Sequence, residues 1–379
     1  MRAWDFLVGL GDLSRTEVRP AAEITAMHLA DGEVLLEVER FSFTANNITY
    51  GVFGDRMGYW RFFPAPDGWG RIPVWGFARV AASRAQGVEV GTRLYGYLPM
   101  STHMVARLRP SGTGYRDQSE HRAALPGAYN RYETAPETSR DDELALLRPL
   151  FTTSFLLDDY LGEIAPDATV ILSSGSSRTA LGLAWLLARR CAAGVALTSA
   201  RNVGFVQGLG LYDQVVEYGS IAGLQIDGPV AFVDMAGDAA VRGAVQRRFS
   251  DRLVHSAVVG STHHQAPAVD AGGMLPGSAP TFFFAPDRLT ARHQDWGAAV
   301  LGQRIDEAMA NFVEDSRWLT VERHHGPDAL GRVYSAVLTG AAVSDIGYIV
   351  LPGTLSRDPS ARQGGRNGRS GLSNQRDAD

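Results

Sequence analysis

Apolar and polar positions change period along the chain, and that change divides it into two kinds of structure. Over residues 33–42 apolar and polar side chains alternate, as in a half-buried strand. Further short strands are predicted over 74–80 and 91–97, which makes this part strand-rich and helix-poor. Residues 110–140 are polar with Gly and Pro; that is long for a connection and predicts a pocket-covering or mobile loop. The period turns helical over 141–161, with Leu144, Leu147, Leu150, Phe151, Phe155 and Leu157 as its apolar positions. Strands are then expected at 169–173, 194–198, 214–217, 230–234, 253–259 and 280–284, with helices near 178–191, 201–210 and 238–249. Such alternation implies a parallel sheet with helices on both faces. A helix over 296–312, a helix over 327–339 and a strand over 346–351 follow. From residue 356 onward Gly, Ser, Arg, Asn and Asp dominate without an apolar period, the pattern of a disordered tail.

The most informative turn is Ser173-Ser174-Gly175-Ser176-Ser177, between an apolar strand and an amphipathic helix. Small residues there let backbone N–H groups and the positive end of the helix approach a pyrophosphate. The spacing departs from G-x-G-x-x-G: glycine stands at 175 and 182, with Ser174, Ser177 and Ala180 between. Close packing of strand and helix also calls for small residues, so the turn by itself leaves both readings open.

Composition narrows the function classes. A chain of 379 residues, 45% hydrophobic and 20% charged, suits a globular protein of two domains. A net charge of −5 and no basic patch interleaved with aromatics argue against nucleic acid. No apolar run near membrane-spanning length and no signal-peptide pattern appear, so a cytoplasmic protein without membrane contact is expected. The single cysteine, Cys191, excludes an intrachain disulfide and is expected to be a buried, inert thiol. There is no lysine, so no Schiff base forms on the chain, and phosphates must be met by arginine, hydroxyls or backbone. His263-His264 and His324-His325 are adjacent pairs, not the i, i+4 pairs that aim two imidazoles at one metal. His324 and His325 read as structural or exposed. His263 follows the end of a predicted strand, where open α/β sheets place ligands.

The order of pieces resembles the medium-chain dehydrogenase/reductase superfamily, in its zinc-independent, quinone-reductase-like branch. EVLLEVERFSFTANNITY is similar to that family's first strand and Asn-containing pocket turn, and VWGFARVAASRAQGVEVGTRLYGY to its Gly-His-Glu and Val-Gly-Asp-Arg-Val stretch. LGLYDQVVEY resembles its entry to the third cofactor-sheet strand. Within that frame the chain most resembles DUF2855, through Thr198-Ser199-Ala200-Arg201-Asn202, Leu209-Gly210-Leu211-Tyr212-Asp213 and Val259-Gly260-Ser261-Thr262-His263. The resemblance spans about residues 30–352. It implies an α/β fold: a GroES-like β-rich catalytic domain (1–148 and 316–353), a Rossmann doubly wound parallel sheet (149–315), and the tail from 354. It also implies a bacterial oxidoreductase, often a homodimer through edge strands.

Phe77 and Ala78 occupy the His-Glu positions and no cysteine quartet exists, so neither of the family's zinc sites is expected. The resemblance makes Ser174, Gly175, Ser176, Ser177, Arg178 and Thr179 the phosphate-binding turn, and sets Gly260, Thr262 and His263 beside the nicotinamide. Where NAD-selective sites end the second strand in a carboxylate, this chain has Thr198 and Ser199, then Arg201 and Asn202. Hydroxyls and a guanidinium attract a 2′-phosphate that a carboxylate would repel, which favours NADP(H) over NAD(H). With no metal, the oxyanion and proton fall to tyrosine: Tyr50 first, then Tyr59, with Asn47 in the pocket turn and Asn130 and Tyr132 completing a substrate pocket. The implied reaction is NADPH-dependent reduction of an enone, quinone or enoyl thioester. A non-catalytic NADPH-binding protein and a cofactor-free scaffold are the competing readings.

Overall fold

The computed structural model describes residues 3–22, 24–259 and 276–353. The chain runs through β1 (Trp4–Gly9), β2 (Thr16–Pro20), β3 (Val34–Phe43), α1 (Ala45–Val52), β4 (Trp69–Gly70), β5 (Pro73–Ser83) and β6 (Arg93–Pro99). β7 (His103–Ala106), β8 (Leu108–Ser111), β9 (Gly114–Asp117) and β10 (Arg131–Thr134) precede the long helix α2 (Asp141–Ile164). Strands and helices then alternate: β11 (Thr169–Leu172), α3 (Arg178–Arg189), β12 (Gly194–Thr198), α4 (Ala200–Leu209) and β13 (Gln214–Glu217). Next come β14 (Val230–Asp234), α5 (Ala239–Phe249), β15 (Leu253–Val258) and β16 (Pro280–Phe282). The described chain closes with α6 (Ala285–Trp296), α7 (Ala298–Asp315), β17 (Thr320–His325), α8 (Gly326–Leu338) and β18 (Ile346–Leu351).

Six strands make a wholly parallel sheet in the order β13-β12-β11-β14-β15-β16. Counted along the chain this is 3-2-1-4-5-6, the doubly wound order, with its switch point between β11 and β14. Its central strands are uninterrupted apolar runs because helices cover both faces; every residue of β12 and β14 is buried. A second, larger sheet runs β17-β18-β3-β5-β6-β10-β9-β8, with β7 beside β3; only its β17–β18 pair is parallel. β2-β1-β4 form a small antiparallel sheet.

Helix α2 joins the two sheets. Its first turn carries Asp141, Asp142 and Glu143, which suit the positive end of the helix. Arg93 of β6 pairs with Asp141 at 2.8 Å, while Arg40 of β3 and Arg323 of β17 grip Asp142 at 2.8 and 2.6 Å. Pro149 lies inside this helix and lacks the N–H that would bond the Ala145 carbonyl. Ser42 Oγ of β3 donates to that carbonyl instead, at 2.8 Å. Gly182 lets α3 approach α2: a Cβ there would sit 2.8 Å from Ser154 Oγ.

Several expectations change. Residues 110–140 are not one loop: β8 and β9 form a hairpin about Gly112 (φ 60°), β10 follows, and Tyr129, Asn130 and Tyr132 are buried. The helix expected over 296–312 is α7, and an unexpected helix, α6, precedes it; the two are separated at Gly297, whose φ of 78° and ψ of 152° no helix accommodates. β17, with its mixed polar and exposed positions, lacks the apolar alternation that marks a strand and was not expected. Cys191 is exposed, since it sits at φ 56° in the turn leaving α3, past the helix's apolar face. Gly260, Thr262, His263 and the tail from 354 lie outside the described residues.

Candidate functional site

The switch point of the parallel sheet opens onto a cleft of about 400 Å³, walled on the other side by α1 and the segment leading into β18. β11 delivers the turn at its carboxyl end. Ser174 takes φ 50°, a conformation that glycine adopts without strain, and its N–H donates to Tyr218 Oη at 2.9 Å. Burial pushes the Tyr218 hydroxyl up to about 12, so it stays protonated. Gly175 faces away from the cleft; a Cβ there would lie 2.6 Å from the Ala196 Cβ, so this glycine serves contact with β12. Ser177 caps α3, accepting from the Ala180 N–H at 3.3 Å. Ser173 Oγ donates to the fully buried Asp234, which Arg242 holds at 2.7 Å; the three fix the ends of β11 and β14.

Arg178 is the first residue of α3. It donates to the Ile346 carbonyl, its Nε is buried without a hydrogen-bond partner, and no carboxylate among the described residues pairs with it. Burial pulls its pKa down to about 10 against the opposing pull of Tyr348 and Asp345. At the end of β12, Thr198, Ser199, Arg201 and Asn202 all line the cleft. Asn202 Nδ2 donates to Ser176 Oγ at 3.0 Å, and Arg201 donates to the Gly340 carbonyl at 2.8 Å. Among the described lining residues there are two arginines and no carboxylate or histidine.

α1 provides the opposite wall. Thr44 caps it, and its helical period turns Asn46, Thr49, Tyr50 and Phe53 to the cleft. Asn47 falls on the other face: its Oδ1 accepts from Thr44 and its Nδ2 donates to the Pro73 carbonyl at 2.9 Å, so its amide is spent on structure. Trp75 Nε1 donates to Tyr50 Oη at 3.2 Å. The Tyr50 ring lies 4.7 Å from that of Tyr59, and Tyr59 Oη meets Tyr129 Oη at 3.5 Å. Burial raises the hydroxyls of Tyr50 and Tyr59 above the usual tyrosine range, and the neighbouring Tyr59 adds to the shift at Tyr50.

The cleft thus brings together Ser174, Ser176, Ser177, Arg178, Thr179, Thr198, Ser199, Arg201, Asn202, Tyr50 and Tyr59. It leaves out Asn130 and Tyr132. Asn130 donates to the Arg122 carbonyl at 3.3 Å, and Tyr132 donates to the Tyr97 carbonyl at 2.7 Å, both beneath the aromatic cluster. Tyr129, three residues before Tyr132, reaches the cleft instead, as do Asn46, Tyr218, Ser344 and Tyr348. Tyr129, Tyr218 and Ser344 come from 3₁₀ turns and a connection, where no sequence period marks the inward face, while Asn46 lies on α1 and Tyr348 on β18.

The family model for DUF2855, described as protein of unknown function, matches residues 41–343. The chain belongs to the DUF2855 family. No curated protein matches it. Among solved structures, CurA from Vibrio vulnificus in complex with NADPH superposes with a TM-score of 0.62 at 13% identity, over 94% of this chain and 100% of CurA. Mycobacterial Rv1454c complexed with NADPH gives 0.58 at 17% identity, over 92% of this chain and 100% of that one. The Etr1p/NADP/crotonyl-CoA complex gives 0.59 at 12% identity, over 93% and 100%. This chain therefore has the two-sheet fold of these structures, the α/β fold that the resemblance implies.

Proposed function

We propose that this protein is an NADPH-dependent, metal-independent reductase of an activated C=C or C=O bond. The observation that carries the reading is the cleft's charge: a half-buried guanidinium at the start of α3 whose Nε has no hydrogen-bond partner and which no described carboxylate pairs, a second guanidinium past β12, and no carboxylate among the described lining residues. Burying a cation without a counter-ion is costly, and an anion beside Arg178 offsets that cost. The residues fit a dinucleotide phosphate. Ser176, Ser177, Arg178 and Thr179 would hold the pyrophosphate at the helix start, and Thr198, Ser199, Arg201 and Asn202 the 2′-phosphate. CurA, Rv1454c and Etr1p, which share the fold, were solved with NADPH or NADP.

When bound, NADPH supplies a hydride. This chain's own part is to hold the acceptor and its developing negative charge. Tyr50 accepts from Trp75 and keeps its proton to donate to a substrate oxygen; the raised pKa keeps it neutral and protonated. The aromatic wall of Tyr50, Tyr59 and Tyr129 excludes water around that oxygen, which strengthens the hydrogen bond. One observation favours a cofactor-free scaffold: the Ser174 N–H, which could face a phosphate, is bonded to Tyr218.

NADPH oxidation by the purified protein, followed against a panel of enones, quinones and enoyl thioesters, tests the proposal. Turnover with at least one acceptor is expected. NADPH binding without turnover across the panel would leave a binding protein, and neither binding nor turnover would leave the scaffold.

A further inference from the structure

A second cavity, of about 430 Å³, adjoins the cleft. The two share Tyr50, Tyr129, Pro149, Thr153, Ala285 and Pro286 as a common wall. Its floor is apolar, with Leu156, Leu289, Leu301 and Ile305, and Trp75 and Tyr95 add aromatic surface. Its charged lining is uneven. Arg148 pairs with both Glu133 at 2.7 Å and Asp306 at 3.1 Å, so this group carries one negative charge in excess and has no cation to spare for a ligand. Arg116 and Arg131 make no ion pair or side-chain hydrogen bond among the described residues, yet they stand directly opposite each other on β9 and β10. Like charges at opposed positions of an antiparallel pair disfavour it, modestly here because both side chains reach solvent, and an anion placed between them would be favoured. His293 of α6 faces the same cavity; burial, and then the Arg131 charge, hold its pKa below the usual imidazole value.

We infer that this second cavity binds the far end of the substrate, and that Arg116 and Arg131 receive an anionic group there, a carboxylate or a phosphate ester. The inference rests on the reductase reading for placing the reacting end at Tyr50. The substrate is then a long amphipathic molecule: an electrophilic end at the tyrosines, an apolar or aromatic body over Leu289 and Ile305, and an anionic end between two guanidinium groups. Planar, fork-shaped arginine side chains suit both kinds of oxyanion and give neutral amides little.

Calorimetric titration of the full chain with cinnamate, cinnamamide and phenyl phosphate, and separately with NADPH, tests this. Both arginines are exposed, so glutamine substitution leaves the fold intact. Cinnamate is expected to bind about tenfold or more tighter than cinnamamide, in line with charge-assisted hydrogen bonds. Arg116→Gln and Arg131→Gln each weaken cinnamate while leaving cinnamamide and NADPH unchanged, and the double substitution abolishes the preference. Tighter binding of phenyl phosphate than cinnamate assigns a phosphate ester, and the reverse order a carboxylate. Equal binding of cinnamate and cinnamamide, no binding of any probe, or a preference that survives the double substitution overturns the inference. The NADPH titration separates the two claims: loss of NADPH binding with the anion preference intact removes the reductase reading but not the anion subsite.

Discussion

Tyr50 sits on the wall common to both cavities and is held by a donor, Trp75, whose bond leaves the phenol proton available. Tyr50→Phe keeps the ring packing against Tyr59 and removes only the hydroxyl. Losing one such donor is expected to lower kcat by about a hundredfold or more, with NADPH affinity unchanged, measured by steady-state kinetics and direct titration. An unchanged kcat would move the proton to another group. At this scale the sequence was partly legible. Tyr50, Arg178 and Arg201, singled out in the sequence, do line the cleft. Asn47 shows what misleads: it adjoins the cleft residue Asn46, but α1 is a helix where a turn was expected, and one residue's step turns a side chain about 100° around the axis, here out of the cleft. Asn130 and Tyr132 illustrate the same problem, since their polar atoms are spent inside the aromatic cluster while Tyr129 faces out.

At the scale of elements, α2 sets the geometry. It carries Pro149 and Thr153 into both cavities, and Ser42 satisfies the carbonyl that Pro149 orphans. Ser42→Ala leaves that buried carbonyl unpaired and is expected to destabilise the protein by about 1–3 kcal/mol, read from chemical denaturation midpoints at unchanged slope. An effect near zero would mean that the helix relaxes about the proline without its partner. The parallel-sheet elements were legible because buried parallel strands are continuous apolar runs bounded by small-residue turns, and β11, β12 and β14 match that pattern closely. The stretch 110–140 was not, since β9 and β10 are four-residue strands and its buried polar groups pair across short turns, as in the ion pair of β9's Asp117 with Arg122 at 3.0 Å. Short polar strands leave no periodic trace.

For the whole molecule, a cluster of tyrosines packs on the larger sheet, beside the cleft. Tyr50, Tyr59, Tyr95, Tyr97, Tyr129 and Tyr132 all have hydroxyl pKa values raised by burial above the ordinary 10.0. Below pH 10 both folded and unfolded chains hold these protons, and the stability is fully present. As pH rises past 10 the unfolded chain releases protons that the folded one retains, so stability falls until the folded values are passed. Calorimetric Tm is therefore expected to drop steeply between about pH 10 and about pH 12, more than the carboxylates and arginines alone would produce. A flat Tm across that range would show that the cluster is open to water. The parallel sheet was legible from the alternation of strands and helices, and its doubly wound arrangement from the family resemblance. The docking of the two sheets was not, because contacts such as Arg178 with the Ile346 carbonyl join residues far apart in the chain.

The most direct test of the account is the affinity of the protein for NADPH and for NADH, followed by tryptophan fluorescence, with Arg178→Gln and Arg201→Ala beside the wild type. The account predicts that NADPH binds about tenfold or more tighter than NADH, that Arg201→Ala erases the difference, and that Arg178→Gln weakens both nucleotides. Melting curves without nucleotide confirm that each variant is folded. Failure of the wild type to bind either nucleotide, or equal affinity for both, would contradict it.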